Sequence, residues 1–375
     1  MKVIAFYLPQ YHAIPENDEW WGKGFTEWTN VRKAVPVYKG HIQPKIPLNN
    51  NYYNLLNDDT KTWQAELARK AGVYGFCYYH YWFNGKLLLE KPAEQMLANH
   101  MINLPFCFSW ANEPWSRSWK GEKKNVIMPQ EYGGKSDWKK HFDYLLPYFK
   151  DERYIKEKGK PLFIIYKPDI IPSCYEMMQF WSELAIQNGF PGIFFGFQFP
   201  SGFRNKENET YFDLAIEFEP IYTKTELQGF YNISTFNGMT KLLKKDPKVF
   251  IKVILNKLRY SVFNMPIFFD YKSTCERIIS RNPRFKNSVP GFFTSWDKTP
   301  RNGSRAEIYK NSTPDIFEKY IKSQIKRAKE VYNTDYLFIT AWNEWGEGAY
   351  LEPDIQNGEG YIKALNNALR EEHIF

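Results

Sequence analysis

The sequence predicts an α/β fold of the (β/α)8 TIM barrel type, with a long insertion after the sixth strand. Three observations carry this prediction. Short apolar runs alternate with longer amphipathic stretches along the chain, eight such runs are present, and polar and aromatic residues gather at the same end of most of them. The eight expected strands are Val3–Leu8, Gly75–Tyr79, Phe106–Trp110, Leu162–Tyr166, Ile193–Gln198, Leu214–Phe218, Gly291–Ser295 and Tyr336–Ala341. Most are apolar nearly throughout, as strands covered on both faces must be. Helices are expected over Thr60–Lys70, Ser136–Phe149, Tyr175–Asn188, Pro314–Tyr332 and Glu359–Glu371. Gly72 and Gly189 supply stop signals, and Thr313-Pro314 a start. A doubly wound open sheet would usually carry a glycine-rich phosphate loop after its first strand. Here that turn reads Pro9-Gln-Tyr-His12.

The stretch between the sixth and seventh strands, residues 221–289, is too long for a bare loop. Asp246-Pro247 reads as a helix cap with proline in the first turn, opening a basic amphipathic helix over Lys248–Tyr260. The expected organisation is therefore one barrel over residues 1–375, with residues 221–289 as a partly helical, basic insertion.

Composition agrees with a packed enzyme core: 43% of the 375 residues are hydrophobic and 25% are charged. The aromatic content is high, with 13 Trp, 26 Tyr and 30 Phe. Flat rings with polar tips suit both a dense core and a sugar-binding wall. The formal charge is +8, and seven basic residues between Lys241 and Arg259 face a single acid, Asp246. That stretch is a solvated face or a contact for an anionic membrane surface. No nucleic-acid module accompanies it, so no nucleic-acid partner is expected. Cys77, Cys107, Cys174 and Cys275 form no C-x-x-C pair, and two of them sit in apolar runs. Buried thiols suit a reducing compartment. The chain opens on an apolar strand without the zones of a signal peptide. A cytoplasmic protein is expected, with the basic stretch as its candidate membrane contact.

Function in this fold resides at the C-terminal ends of the strands. There the sequence places Gln10, Tyr11 and His12 after the first strand, and Tyr79, His80 and Tyr81 after the second. Trp110, Asn112 and Glu113 follow the third, Trp296 the seventh, and Trp342, Asn343, Glu344, Trp345 and Glu347 the eighth. These are the candidate substrate-binding residues, with Glu344 and Glu347 as the catalytic pair. Residues three apart share a side only if the backbone leaves the extended state, which Gly346 and Gly348 permit. Two adjacent carboxylates in partly apolar surroundings split their pKa values, as acid and base work at a glycosidic bond requires.

Other chemistries lack their residues. No histidine pair has H-E-x-x-H spacing and no Cys/His cluster suggests zinc. There is no G-x-S-x-G turn, Walker loop or G-x-G-x-x-G. No metal and no cofactor are expected.

Three long motifs resemble a known group. The opening run Tyr7-Leu-Pro-Gln-Tyr-His12 through Gly24-Phe-Thr-Glu-Trp-Thr-Asn30, then Gly75-Phe-Cys-Tyr-Tyr-His-Tyr-Trp-Phe-Asn-Gly85, and Trp342-Asn-Glu-Trp-Gly-Glu-Gly348 are similar to the WbsX-type glycosyltransferases. Trp110-Ala-Asn-Glu113 matches the same group. These proteins are related to the family 99 glycoside hydrolases, the endo-α-mannosidases and endo-mannanases. The resemblance implies a retaining reaction through the substrate's own 2-hydroxyl. Glu344 would take the proton from that hydroxyl, and Glu347 would protonate the leaving oxygen and later activate the acceptor. It also implies work on an oligosaccharide or glycolipid in bacterial surface-polysaccharide synthesis, lipopolysaccharide O-antigen or capsule. The hydrolase motif has His where this chain has Gly346. An endo-acting hydrolase is the alternative expectation, and a non-catalytic sugar-binding barrel a further one.

Overall fold

A computed structural model describes residues 1–117, 125–199 and 210–372. Eight parallel strand positions close a ring. In chain order they are β1 (Lys2–Tyr7), β2 (Gly75–Phe83), β3 (Phe106–Trp110), β4 (Lys160–Ile165), β5 (Phe194–Phe199), β6 (Leu214–Glu217), β7 (Ser288–Val289 and Gly291–Phe293) and β8 (Tyr336–Thr340). β1 pairs with β2 on one side and with β8 on the other, Ile4 lying opposite Gly75 and Phe338. β7 completes the seam in two pieces separated by Pro290. Its first piece pairs with β6 at Ala215–Ser288, and its second with β8 at Gly291–Phe338. A Cβ at Gly291 would stand 1.8 Å from the Glu217 carbonyl oxygen, so only glycine permits this approach of β6 and β7.

The strands form because they are apolar on both faces. Val3, Ile4 and Ala5, and Leu162 to Ile165, have no exposed surface. One set of side chains fills the barrel, where Phe6 meets Tyr79, Phe218 and Phe338 at centroid distances of 5.3–5.7 Å. The other set packs under the helices. Helices cover Asp58–Ala71, Lys135–Lys150, Cys174–Gln187, Pro314–Glu330 and Gly360–Glu371, each within two residues of the sequence expectation. Asn57 caps the first of these by accepting from the Asp59 amide, and Thr313 caps the fourth through the Ile316 amide.

The long connection after β6 has structure of its own: helices Ile221–Leu227, Phe236–Lys245 and Pro247–Ser261, a short strand Ile267–Asp270, and the helix Tyr271–Ser280 that leads into β7. Asp246 accepts from the Val249 amide at 3.0 Å, so the cap read from Asp246-Pro247 forms as expected. Among the described residues, no helix is long and apolar enough to cross a membrane.

Candidate active site

The C-terminal end of the barrel opens into a cavity of about 910 Å³. Its wall is aromatic, with Tyr79, Tyr81, Trp115, Tyr166, Phe218 and Trp296 among its residues. Gln10, Glu27, Glu113, Lys298, Arg301, Arg305, Glu344 and Glu347 supply the polar and charged groups.

The local backbone after β8 explains how Glu344 and Glu347 meet. A two-residue strand, Asn343–Glu344, runs into a single 3-10 turn, Trp345–Glu347. Such a turn repeats every three residues, so positions 344 and 347 fall on one side. Gly348 then adopts left-handed φ of 62°, and Ala349–Tyr350 returns antiparallel to Asn343–Glu344. Both carboxylates reach one guanidinium. Arg301 Nη2 donates to Glu344 Oε2 at 3.0 Å and Nη1 to Glu347 Oε1 at 2.8 Å. Its Nε donates to Glu27 Oε1 at 2.9 Å, and Lys298 Nζ lies 3.1 Å from Glu347 Oε1.

Side chains beneath the turn hold its backbone. The Asp297 amide donates to the Glu347 carbonyl at 2.7 Å. Asp297 Oδ2 accepts from His41 Nε2 and Gln43 Nε2, both at 2.7 Å, and Oδ1 from the Thr299 amide at 3.0 Å. Burial works against the Asp297 charge, yet the bonds from His41 and Thr299 hold its carboxyl below the ordinary range. On the other side Trp345 Nε1 donates to Glu352 Oε2 at 2.6 Å, as does the Tyr53 hydroxyl at 2.9 Å, and Gln64 Nε2 donates to Oε1 at 2.7 Å. Burial pushes Glu352 up to about 7. The Asn343 amide grips Leu8 through its carbonyl and amide, at 3.0 and 2.8 Å.

The two carboxylates hold their protons differently. Burial pushes Glu344 up to about 8; Arg301 opposes the shift and Glu347 adds to it. Burial also raises Glu347, but Lys298 and Arg301 outweigh it and bring that carboxyl below its usual range. The two shifts run in opposite directions, so a proton shared by the pair is favoured on Glu344 over Glu347.

Gly346 marks the tightest point. A Cβ there would stand 1.7 Å from Glu27 Oε1 and 2.8 Å from Arg301 Nε. The Glu27–Arg301 ion pair thus fills the space that a side chain at 346 would need. Gly346→Ala should displace that pair. Overpacking of this kind costs about 1–3 kcal/mol, and a lowered denaturant midpoint together with reduced turnover would show it. Unchanged stability and turnover would mean that the ion pair yields freely.

Of the expected site residues, Gln10, Tyr79, Tyr81, Glu113, Trp296, Glu344 and Glu347 line the cavity. Tyr11, His12, His80, Trp110, Asn112, Trp342, Asn343 and Trp345 do not, which corrects the expectation that every strand-end residue faces it. The reason is the two-residue period of a strand. Tyr79 and Tyr81 point inward, so His80 points outward, and its Nε2 meets His141 Nε2 at 2.8 Å beneath the helix Lys135–Lys150. Burial drops His80 to about 3. Ala111 and Glu113 line the wall. Trp110 and Asn112 lie behind it, Trp110 Nε1 donating to the Trp82 carbonyl at 3.2 Å and Asn112 to the Lys167 carbonyl at 2.8 Å. Tyr11 bonds the Asn343 carbonyl and the Trp345 amide. Buried His12 bonds the Pro9 carbonyl at 3.0 Å, and burial lowers it to about 4. Trp342 packs 4.9 Å from the Phe76 ring, and Trp345 stacks on Tyr350 at 3.8 Å. Glu217 and Glu219, also at a strand end, turn away to Arg281.

Glu27, Lys298 and Arg301 are absent from the sequence-derived set. Glu27 lies inside Gly24-Phe-Thr-Glu-Trp-Thr-Asn30, and Lys298 follows Trp296-Asp297 directly. Those placements were the available signals. Among the described residues, no group of three or more His, Cys, Asp or Glu could hold a metal ion.

The family model for glycosyltransferase WbsX matches residues 3–365. The chain belongs to the WbsX family. It is 34% identical over 373 residues to WxcX of Xanthomonas campestris pv. campestris strain B100, covering 98% of this chain and 49% of that protein. WxcX of a second strain of the same pathovar is 33% identical over 370 residues. The chain thus spans about half the length of the curated relatives it matches. Among solved structures it is similar to the GH99 endo-alpha-mannosidase from Bacteroides thetaiotaomicron, with a TM-score of 0.54, 15% identity, and coverage of 99% of this chain and 97% of that one. A glycoside hydrolase-like protein also matches, with a TM-score of 0.54 and 11% identity over 99% of this chain and 93% of that one. At these identities the structural likeness establishes the fold alone.

Proposed function

We propose that this single-barrel unit makes or cleaves a glycosidic linkage, with Glu344 and Glu347 as its acid/base pair. The observation that carries this reading is the convergence of two carboxylates on one guanidinium at the wall of an aromatic cavity, their proton affinities pushed in opposite directions. The substrate is an oligosaccharide or glycolipid, and the setting is cytoplasmic assembly of bacterial surface polysaccharide, O-antigen or capsule. The reaction retains configuration through the 2-hydroxyl. A base takes the hydroxyl proton, the oxygen bonds to C1 as the leaving oxygen departs with a proton from the acid, and an incoming hydroxyl reopens the anhydro ring. The resemblance makes Glu344 the base, whereas burial favours the proton on Glu344. In that scheme substrate entry shifts one proton to Glu347, for which a sugar hydroxyl must loosen the grip of Lys298 and Arg301. Incubation with labelled oligosaccharides, with and without a sugar acceptor, tests the reading. Transfer products support assembly, free reducing sugar supports the endo-hydrolase alternative, and binding without turnover leaves a sugar-binding barrel.

A pH profile follows from the pair. Its one-proton state extends from below the ordinary glutamate range up to about 8. The free-enzyme kcat/KM should therefore fall as pH rises through about 8, where the proton on Glu344 is lost. Lys298→Met removes a cation that favours the Glu347 carboxylate. Its acid limb should move to higher pH, and its alkaline limb in the same direction by less, since Lys298 acts more weakly on Glu344. An acid limb that does not move would remove Lys298 from the pair's electrostatics.

A further inference from the structure

We propose that the insertion after β6 is an interfacial anchor that seats the mouth of the cavity on an anionic lipid bilayer. The helix Pro247–Ser261 leaves a continuous apolar stripe uncovered. Ile251, Leu255, Leu258 and Val262 recur at i, i+4, i+7 and i+11, which places them on one face, and they are 57%, 55%, 41% and 64% exposed. Phe263, next in the chain, is 63% exposed, and Phe236 at the start of the preceding helix is 87% exposed. The opposite face is committed to the protein: Val253 is buried, and Lys257 Nζ donates to the Ile233 carbonyl at 2.6 Å. Lys257 is thereby withdrawn from the basic set expected to meet a membrane.

Charge identifies the occupant. Lys248 and Lys252 flank the stripe on its own helix, and Lys241, Lys244 and Lys245 stand exposed on the helix before it. The segment's single acid, Asp246, is occupied in capping the helix. A purely apolar partner would leave these ammonium groups without counter-charge. A bilayer with anionic headgroups takes both, acyl chains against the stripe and phosphates against the lysines. The anchor adjoins the chemistry, because Tyr260 and Asn264 at the end of the helix line the cavity, and Arg305 Nε donates to Asn264 Oδ1 at 2.7 Å. A sugar carried on a lipid would then reach Glu344 and Glu347 from the bilayer surface. This last step rests on the proposed function; the docking itself does not.

The test is co-sedimentation with vesicles of phosphatidylcholine alone and of phosphatidylcholine mixed with phosphatidylglycerol. Binding to the mixed vesicles only is expected, weakening toward about 1 M salt, where screening acts within about 3 Å. Lys248→Glu with Lys252→Glu should weaken it about tenfold or more, at about 1 kcal/mol per surface charge. Ile251→Ser with Leu255→Ser should weaken it at any salt concentration. All four positions are exposed or at a helix surface, so unchanged thermal unfolding verifies the fold of each variant. No binding by the wild type, or binding indifferent to lipid charge and to both variants, overturns the proposal. A wild-type dimer that Ile251→Ser with Leu255→Ser dissolves, without vesicle binding, assigns the face to a second copy instead. Turnover is not read, and Glu347→Gln should bind vesicles as the wild type does, so failure here is distinct from failure of the Glu344–Glu347 chemistry.

Discussion

Glu347→Gln should lose about 10²–10⁴-fold in turnover on substrates with poor leaving groups and little on activated ones. An activated leaving oxygen departs without a proton, so only the former depend on the acid. Glu344→Gln should depress both kinds, because the 2-hydroxyl must still be deprotonated. A 2-deoxy substrate should then fail with the wild-type enzyme. The reverse pattern, with Glu344→Gln sparing activated substrates, would assign the acid to Glu344, the carboxyl that burial raises. Normal turnover of the 2-deoxy sugar would exclude 2-hydroxyl participation and leave a nucleophile-plus-acid scheme. Neither substitution should unfold the protein. Glutamine keeps the shape of the side chain, and Arg301 retains its bond to Glu27.

The largest effect on stability should come from Arg281→Met. Arg281 is buried behind β6 with its side chain 2% exposed, paired with Glu219 and within 3.4 Å of Glu217. It also lies 4.5 Å from the centroid of the Tyr222 ring. Removing the cation strands two buried carboxylates, and breaking a buried pair from one side costs about 3–5 kcal/mol. Replacing Glu217 and Glu219 by leucine in the same chain should recover most of the loss, since apolar substitution of a whole buried ionic cluster is often neutral. Chemical denaturation midpoints report both outcomes. If the single variant proves as stable as the wild type, water or another cation reaches the two glutamates.

The barrel was legible in the sequence because its strands are short and apolar on both faces, a pattern that needs no knowledge of partners. The Glu344–Glu347 pair was legible because both residues and their permissive glycines lie within five positions. What the sequence did not separate was the facing of strand-end residues. Tyr79, His80 and Tyr81 look alike as a polar aromatic run, and only the register of β2 sends His80 toward His141 and its neighbours into the cavity. Nor did it join Arg301 to Glu27, which lies 274 positions away. That contact exists only once the ring has closed, and no local spacing encodes it.

The stitching of Asn343 to Leu8, of Asp297 to His41 and Gln43, and of Arg301 to Glu27 ties the segments after the first strand to those after the seventh and eighth at the cavity. During synthesis the segments that follow the first strand leave the ribosome at least 254 positions ahead of the groups they will bind. Emergence of the eighth strand and its turn therefore completes the ring and brings the paired carboxylates together in one event. A cut anywhere between the second and sixth strands would part these contacts between separate fragments, and neither fragment alone would own a complete site. The meeting of Glu344, Glu347, Arg301 and Glu27 in this molecule is a readout of ring closure itself.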